Sequence, residues 1–439
     1  MYKRISIALF GCGTAAMLAL AGLSGSYVVP LDHDAIQYSS RPVTDPIVEL
    51  QRGISTNKVT LEYSADHGYL QSVLKALDVA PESQVLVFSK TSFQASRIVP
   101  RLPRALYFND RVSIGSVRGG DVLEIASVDP KQGVIFYTLD QEQSSKPRFE
   151  RRDNTCLQCH ATSATLGVPG LVVRSVFPDS SGMPMFQAGT FITDHRSPLK
   201  ERWGGWYVSG THGSQVHMGN ALVRDREKPD NLDTDGTQNV TDLRRHFDTG
   251  AYLTPHSDIV ALMVLEHQTH MTNLITRVGF EARLALHDND AMNKALEEPA
   301  GNVRESTTRR INSAVEELLE YMLFTEESRL SEPIQGVSGF AESFGRAALR
   351  DRQGRSLRDF DLQKRLLRYP CSYLIYSDAF DGLPDMARDR LYRRLWEVLS
   401  AQDTSTKFQN LSTTDRRAIL EILLETKKGL PDYWSPSQT

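Results

Sequence analysis

The chain has 439 residues and a mass of 49.2 kDa, with 40% hydrophobic and 24% charged residues. That is enough to bury a large core in about two domains, and it excludes a disordered, collagen-like or disulfide-built small protein. Fifty Lys and Arg stand against 54 Asp and Glu, a net charge of −4, so there is no global basic field for nucleic acid or an anionic membrane.

The N-terminus reads Met1-Tyr2-Lys3-Arg4, then an uncharged and largely apolar or small stretch over 5–23, then Ser24-Gly25-Ser26. Basic, then apolar, then small is the order of a secretory signal. Residues 1–26 are expected to be a signal peptide, cleaved after Ala21 or Ser26, or else a retained membrane tether through 5–23. Both place the body outside the cytoplasm, in the periplasm. Lipidation at Cys12 is disfavoured by the bulky Phe10 and the short apolar run before it.

Residues 27–150 read as an α+β, β-rich region. After a polar lead-in with Pro30, Pro42 and Pro46, Tyr69, Leu70, Val73, Leu74 and Leu77 fall at helical spacing behind Asp66 as N-cap. The run 84–88 is a short strand. Segments 122–128 and 134–139, joined by Asp129-Pro130-Lys131-Gln132-Gly133, make a hairpin. Residues 151–255 are rich in Gly and Pro, with short strands expected at 171–173 and 186–192. From 256 to 439 the pattern is helical. It has one helix over 258–278, a stripe of Ile311, Val315, Leu318, Leu319 and Met322, another of Ala387, Leu391, Leu395 and Val398, and a last helix opened by Ser412 and Asp415 and stopped by Gly429. The fold class is therefore α+β, with a mixed or β-rich N-terminal half and a helical C-terminal half.

The most specific stretch is Cys156-Leu157-Gln158-Cys159-His160. Cys-x-x-Cys-His is the attachment pattern of c-type haem, in which two thiols form thioethers with the haem vinyl groups and the next imidazole binds iron. For a chain of this composition the pentapeptide arises by chance about once in a thousand. A thioredoxin-type dithiol needs a strand just before the first cysteine, and Arg151 to Thr155 does not read as one. A structural zinc site needs further ligands nearby, and Cys371 is remote and reads as a buried inert thiol.

His160 leaves one axial position on iron. The helix from Asp258 sets His267 and His270 in apolar sequence, where polar groups need partners. His267 is the first candidate for the distal ligand and His270 the second; the alternative is that both bond among themselves or to the irregular region. His217, near Trp203 and Trp206, is a third candidate, and Met183 a fourth that reads more simply as a core or loop methionine. Arg151 and Arg152, with Lys146 and Arg148, precede the attachment site and are candidates to pair with the haem propionates. A calcium-like run, Asn231-x-Asp233-x-Asp235-Gly236, lacks an apolar residue at Gln238 and a preceding helix, so it reads as a surface turn.

The stretches Tyr107-Phe108-Asn109-Asp110, Cys156 to His160, Glu201 to Tyr207, His256-Ser257-Asp258 and Arg368-Tyr369-Pro370-Cys371 together resemble a group of exported bacterial proteins described only as cytochrome c domain-containing. The resemblance covers nearly the whole chain after residue 26. It implies thioether attachment at Cys156 and Cys159 with His160 as proximal ligand. Unlike small cytochromes c, this chain is several times longer and carries the motif in its middle. The expectation is one covalent haem c, held between the two halves, carrying electrons to or from a redox partner protein with no nucleic acid involved. A peroxidase-like haem oxidoreductase with an open distal position, or a haem-based sensing module, remains the alternative.

Overall fold

The computed structural model describes residues 28–434. The expected signal segment, with Cys12, lies outside them. Among the described residues no helix is long and apolar enough to cross a membrane.

Chain order opens with helices α1 (Pro46–Ser55) and α2 (Leu70–Ala76), followed by strands β1 (Val85–Val87), β2 (Arg104–Phe108), β3 (Val112–Ser116), β4 (Val122–Asp129), β5 (Gly133–Asp140) and β6 (Phe149–Arg151). Helix α3 (Asp153–His160) comes next, then β7 (Arg174–Val176), β8 (Thr190–Ile192), β9 (Trp206–Tyr207), β10 (Leu222–Val223) and β11 (Leu232–Asp233). The rest is helical: α4 (Ile259–Ala295), α5 (Glu305–Met322), α6 (Phe340–Arg346), α7 (Asp378–Asp381), α8 (Asp385–Leu399) and α9 (Thr413–Thr426). The protein is mixed α and β, with its sheet in the N-terminal half and its helices in the C-terminal half.

The main sheet has seven strands in the order β6-β5-β4-β3-β2-β1-β9, every pair antiparallel. Its edge strand β9 comes from the irregular region, so sheet and irregular region share one body. Strand alternation divides the two faces. Leu86, Tyr107, Ile114, Ile125, Ile135 and Tyr137 turn toward α1, α2 and the lead-in. On the other face Val85, Val87 and Phe108 join the core of the helical half. Ala126, Val134 and Phe136 make a separate patch against Cys156, Leu157 and Leu171.

The β4–β5 hairpin forms as its turn chemistry predicts. Asp129 Oδ1 accepts from the amides of Lys131 and Gln132, and Gly133 takes a positive φ of 74°. A Cβ there would meet Thr276 Cγ2 at 2.4 Å, so the hairpin also fits against α4. Asp258 caps α4, accepting from Val260 and Ala261, while its other oxygen takes the amides of Val337 and Ser338.

Helix α4 has 37 residues, about 55 Å of helix, and overruns the expected 258–278. Its apolar periodicity weakens after Val278, yet the polar positions there find partners. Glu281 takes Arg310 at 2.7 Å, and Asn289 and Asn293 both donate to the Asn302 carbonyl. The stripes of α5 and α8 are buried as their spacing requires, and Ser412 and Asp415 form the expected reciprocal cap of α9.

Three local expectations are corrected. Tyr69, not Asp66, occupies the cap position of α2. The strand expected at 171–173 falls at 174–176, because Leu171 gives both its backbone groups to the Asn273 side chain instead of to a strand. Residues 186–188 form a single tight turn, and the strand begins only at Thr190.

Candidate haem-attachment site

Strand β6 runs into α3 with one residue between them. This corrects the expectation that no strand precedes the cysteines. The strand-to-helix arrangement would suit a redox dithiol, but the thiol chemistry points the other way. A reactive dithiol has a lowered thiol pKa, whereas burial and the nearby Glu124 carboxylate push Cys156 up to about 11. Cys156, Cys159 and His160 occupy positions three and four apart on one helix, so they share a face.

His160 is held at both ends. Its Nδ1 donates to the Gly170 carbonyl at 2.9 Å, and its own carbonyl accepts the Gly170 amide at 2.9 Å. An imidazole whose Nδ1 faces a carbonyl must carry its proton there, which leaves the Nε2 lone pair free for a metal. The ring sits 4.8 Å from Phe136 between centroids, and burial lowers its pKa, which favours the neutral form that could bind a metal. The supporting loop hangs on α4. Asn273, 1% exposed when its whole residue is considered, accepts from the Leu171 amide at 3.0 Å and donates to the Leu171 carbonyl at 2.7 Å. Arg277 bonds the Leu166 carbonyl.

On the sheet beneath, Glu124, Ala126 and Val128 alternate on one face of β4, and Ala126 pairs with Phe136 of β5. Glu124 accepts from Arg104 at 2.7 Å, Ser92 at 2.8 Å and Gln94 at 2.9 Å. Arg104 lies across Gly115, where a Cβ would come within 2.5 Å of its Nη2, and its Nε is buried with no partner. Two thiols and an Nε2 lone pair on one helix face, an apolar patch and an orphaned guanidinium donor together fit a c-type haem. Cys156 and Cys159 would hold it, and His160 would ligate its iron.

The structure does not bring the expected distal histidines to this site. His267 lies about 9 Å along α4 from Asn273 and about a third of a turn around it. Its Nδ1 meets His195 Nδ1 at 2.8 Å and its Nε2 meets Ser372 Oγ at 2.8 Å, so neither nitrogen is free for iron. Tyr321 and Phe324 stack against it. His270 is taken by Arg196 at 3.1 Å and faces Asp194. His217 accepts the Gly219 amide and packs against Trp203 and His212. The alternative of partners in the irregular region is the arrangement seen. Met183 is 49% exposed, on a loop fixed by Asp179.

The expected propionate partners are also engaged. Arg151 bonds Asp153 at 2.7 Å and the Tyr38 carbonyl at 2.8 Å, and it lies over the Tyr38 ring. Arg152 bonds Glu150 at 2.6 Å and Thr138 at 2.9 Å. Sequence reasoning missed His195, Arg104, Glu124 and Gly170; Asn273 stood out as a polar residue in the buried helix, but its partner did not. Of those missed, only His195, within Thr193-Asp194-His195-Arg196, had local density enough to draw notice; Gly170 acts through a contact with Asn273 that is far apart in sequence. Cys371 is buried, with its thiol pushed up to about 12. The calcium-like run contributes strand β11, with Asp233 paired to Arg224.

Among the described residues, His33, His287 and Asp288 are the one group of three such ligands drawn together. His33 Nδ1 accepts the Ala35 amide there, which puts the ring proton on Nε2 and leaves His33 without a lone pair for an ion.

No family model, no curated protein and no solved structure matches this chain.

Proposed function

We propose that the protein is a mono-haem c-type cytochrome, exported to the periplasm, that transfers electrons through a haem attached at Cys156 and Cys159 and ligated by His160. The single observation that carries this reading is the His160 Nδ1 to Gly170 carbonyl bond of 2.9 Å. It fixes the tautomer a proximal ligand needs, on the same helix face as the two thiols. When bound, the haem supplies a one-electron couple. The chain's own contribution is to orient His160, to wall the site with Ala126, Val134 and Phe136, and to set nearby charge with Arg104 and Glu124. A redox partner protein is the expected donor or acceptor, with residues 5–23 as a tether if the signal is retained.

One observation favours the second reading, a haem that accepts an external ligand. Both ring nitrogens of His267, the Nε2 of His270 and the Nδ1 of His217 are engaged by other residues. A protein expressed with haem-maturation machinery should show covalent haem by pyridine haemochrome, lost in Cys156→Ser/Cys159→Ser. Persistence of covalent haem in that variant would overturn the attachment. A low-spin spectrum indifferent to CO supports the carrier, and a high-spin, CO-binding protein supports the ligand-accepting alternative.

A further inference from the structure

The haem reading leaves two carboxylates to place. A haem carries two propionates, and anions in a partly buried site need charge-assisted donors, for which a guanidinium fork is best suited. Arg151 and Arg152 are spent on acids and carbonyls of their own neighbourhood. Two other guanidiniums border the site. Arg104 reaches across Gly115 to Glu124 and keeps a buried Nε with no partner. Glu124 is already satisfied by three donors, so the remaining capacity of Arg104 is not needed for it. Arg174 opens β7, three residues after Leu171, which, like Cys156, packs against the patch of Ala126, Val134 and Phe136. Its carbonyl accepts from the Trp206 indole, while its guanidinium makes no ion pair among the described residues.

Resting on the haem reading above, we propose that Arg104 and Arg174, rather than Arg151 and Arg152, hold the two haem propionates, with Glu124 positioning Arg104. The juxtaposition has an electrostatic consequence. A positive charge near iron favours the ferrous form, so losing it lowers the reduction potential, and losing a nearby carboxylate raises it.

The test is an equilibrium reduction titration of the full, covalently haem-loaded protein. Arg104→Met and Arg174→Met should each lower the potential, the double variant should lower it more than either, and Arg104→Lys should restore most of the Arg104 effect. Glu124→Gln should raise the potential, although it breaks the same ion pair as Arg104→Met. A merely structural role would move these two variants in the same direction. Potentials unchanged in Arg104→Lys, Arg104→Met and Arg174→Met, or a shift produced instead by Arg151→Met and Arg152→Met, overturn the assignment. If Arg104→Met fails to accumulate, the opposed signs of Arg174→Met and Glu124→Gln still decide. Wild-type protein with no haemochrome overturns the haem reading itself, a failure that is visible before any potential is measured.

Discussion

Replacing Gly170 by Ala tests whether the proximal loop is positioned by α4. A Cβ at 170 would lie 2.2 Å from Asn273 Oδ1 and 2.8 Å from its Cγ, distances no real contact tolerates. The Asn273 amide would have to leave its place, and with it the bonds of 3.0 Å and 2.7 Å to Leu171. A buried backbone group left unpaired costs ~1–3 kcal/mol, so the two lost bonds put Gly170→Ala at about 2–6 kcal/mol. Asn273→Ala removes the same two bonds and should cost the same. In the double variant the clashing Asn273 atoms are gone, so the second substitution adds little and the cycle shows a coupling about as large as either single cost. Urea denaturation followed by tryptophan fluorescence measures all four proteins, and the haem spectrum of the Gly170→Ala variant should broaden as His160 loses its fixed tautomer. Additive costs in the cycle would refute the reasoning, because they would mean that Gly170 and Asn273 act separately.

The Arg202–Glu266 pair, 3% and 0% exposed in its side chains at 3.1 Å, gives a second test. Arg202→Met leaves a buried carboxylate uncompensated and should cost ~3–5 kcal/mol, while Arg202→Met/Glu266→Gln should recover much of that loss in the same denaturation assay. Burial depresses His217 and His267 to about 3 and His270 to about 4. Unfolded histidines bind protons below about 6.5, so these groups contribute stability that is full above that pH and is lost as pH falls toward 3. Glu266 and Glu327, pushed up to about 7 by burial, act with the opposite sign between about 4.5 and 7. The net loss should therefore be steepest below about pH 4.5, at up to ~1.4 kcal/mol per pH unit for each histidine still neutral; a flat midpoint from pH 6 to 3.5 contradicts it. In haem-loaded protein trimmed of residues 1–26, a thiol reagent should find no reactive cysteine until urea is added and then one, Cys371, since its thiol is buried and pushed up to about 12.

Much of this architecture was legible because it rests on local patterns. The hairpin at 122–140 declares itself by two β-prone runs and an Asp-Gly bounded turn, and α5, α8 and α9 by stripes and a capping box. The Cys156–His160 motif stands out for a different reason, since the chemistry it would serve requires three residues at fixed spacing; that it lies on a helix was not read. What could not be read is whatever depends on long-range pairing. Strands β2 and β3 have weak local signatures and are stabilised by neighbours on both sides. His267 drew the distal assignment because a histidine in apolar sequence needs a partner, and that premise held. The partner is His195, 72 residues away in a region without periodicity, together with Ser372. A sequence shows that a buried polar group must be satisfied, but it does not show by which group.

That same requirement explains how an irregular segment of nearly a hundred residues keeps a site in place. With few ladder hydrogen bonds of its own, it must take partners from a regular element, and α4 supplies them along one length. Glu266 holds Arg202, which in turn donates to the carbonyls of His195 and Ser197. His267 holds His195, His270 holds Arg196, Asn273 holds Leu171, and Arg277 holds Leu166. The contacts descend the helix at spacings of one, three and four residues, and the last two flank the Gly170 carbonyl that orients His160. Polar groups cost stability when buried alone, so each contact in the series penalises the loop for leaving. On this reading His267 serves the proposed haem site by fixing the segment next to it, and His267→Phe should loosen residues 193–202 to hydrogen exchange while leaving exchange at Gly170 and Leu171 unchanged. Equal loosening of both stretches would mean that α4 clamps the irregular region as a single unit and not contact by contact.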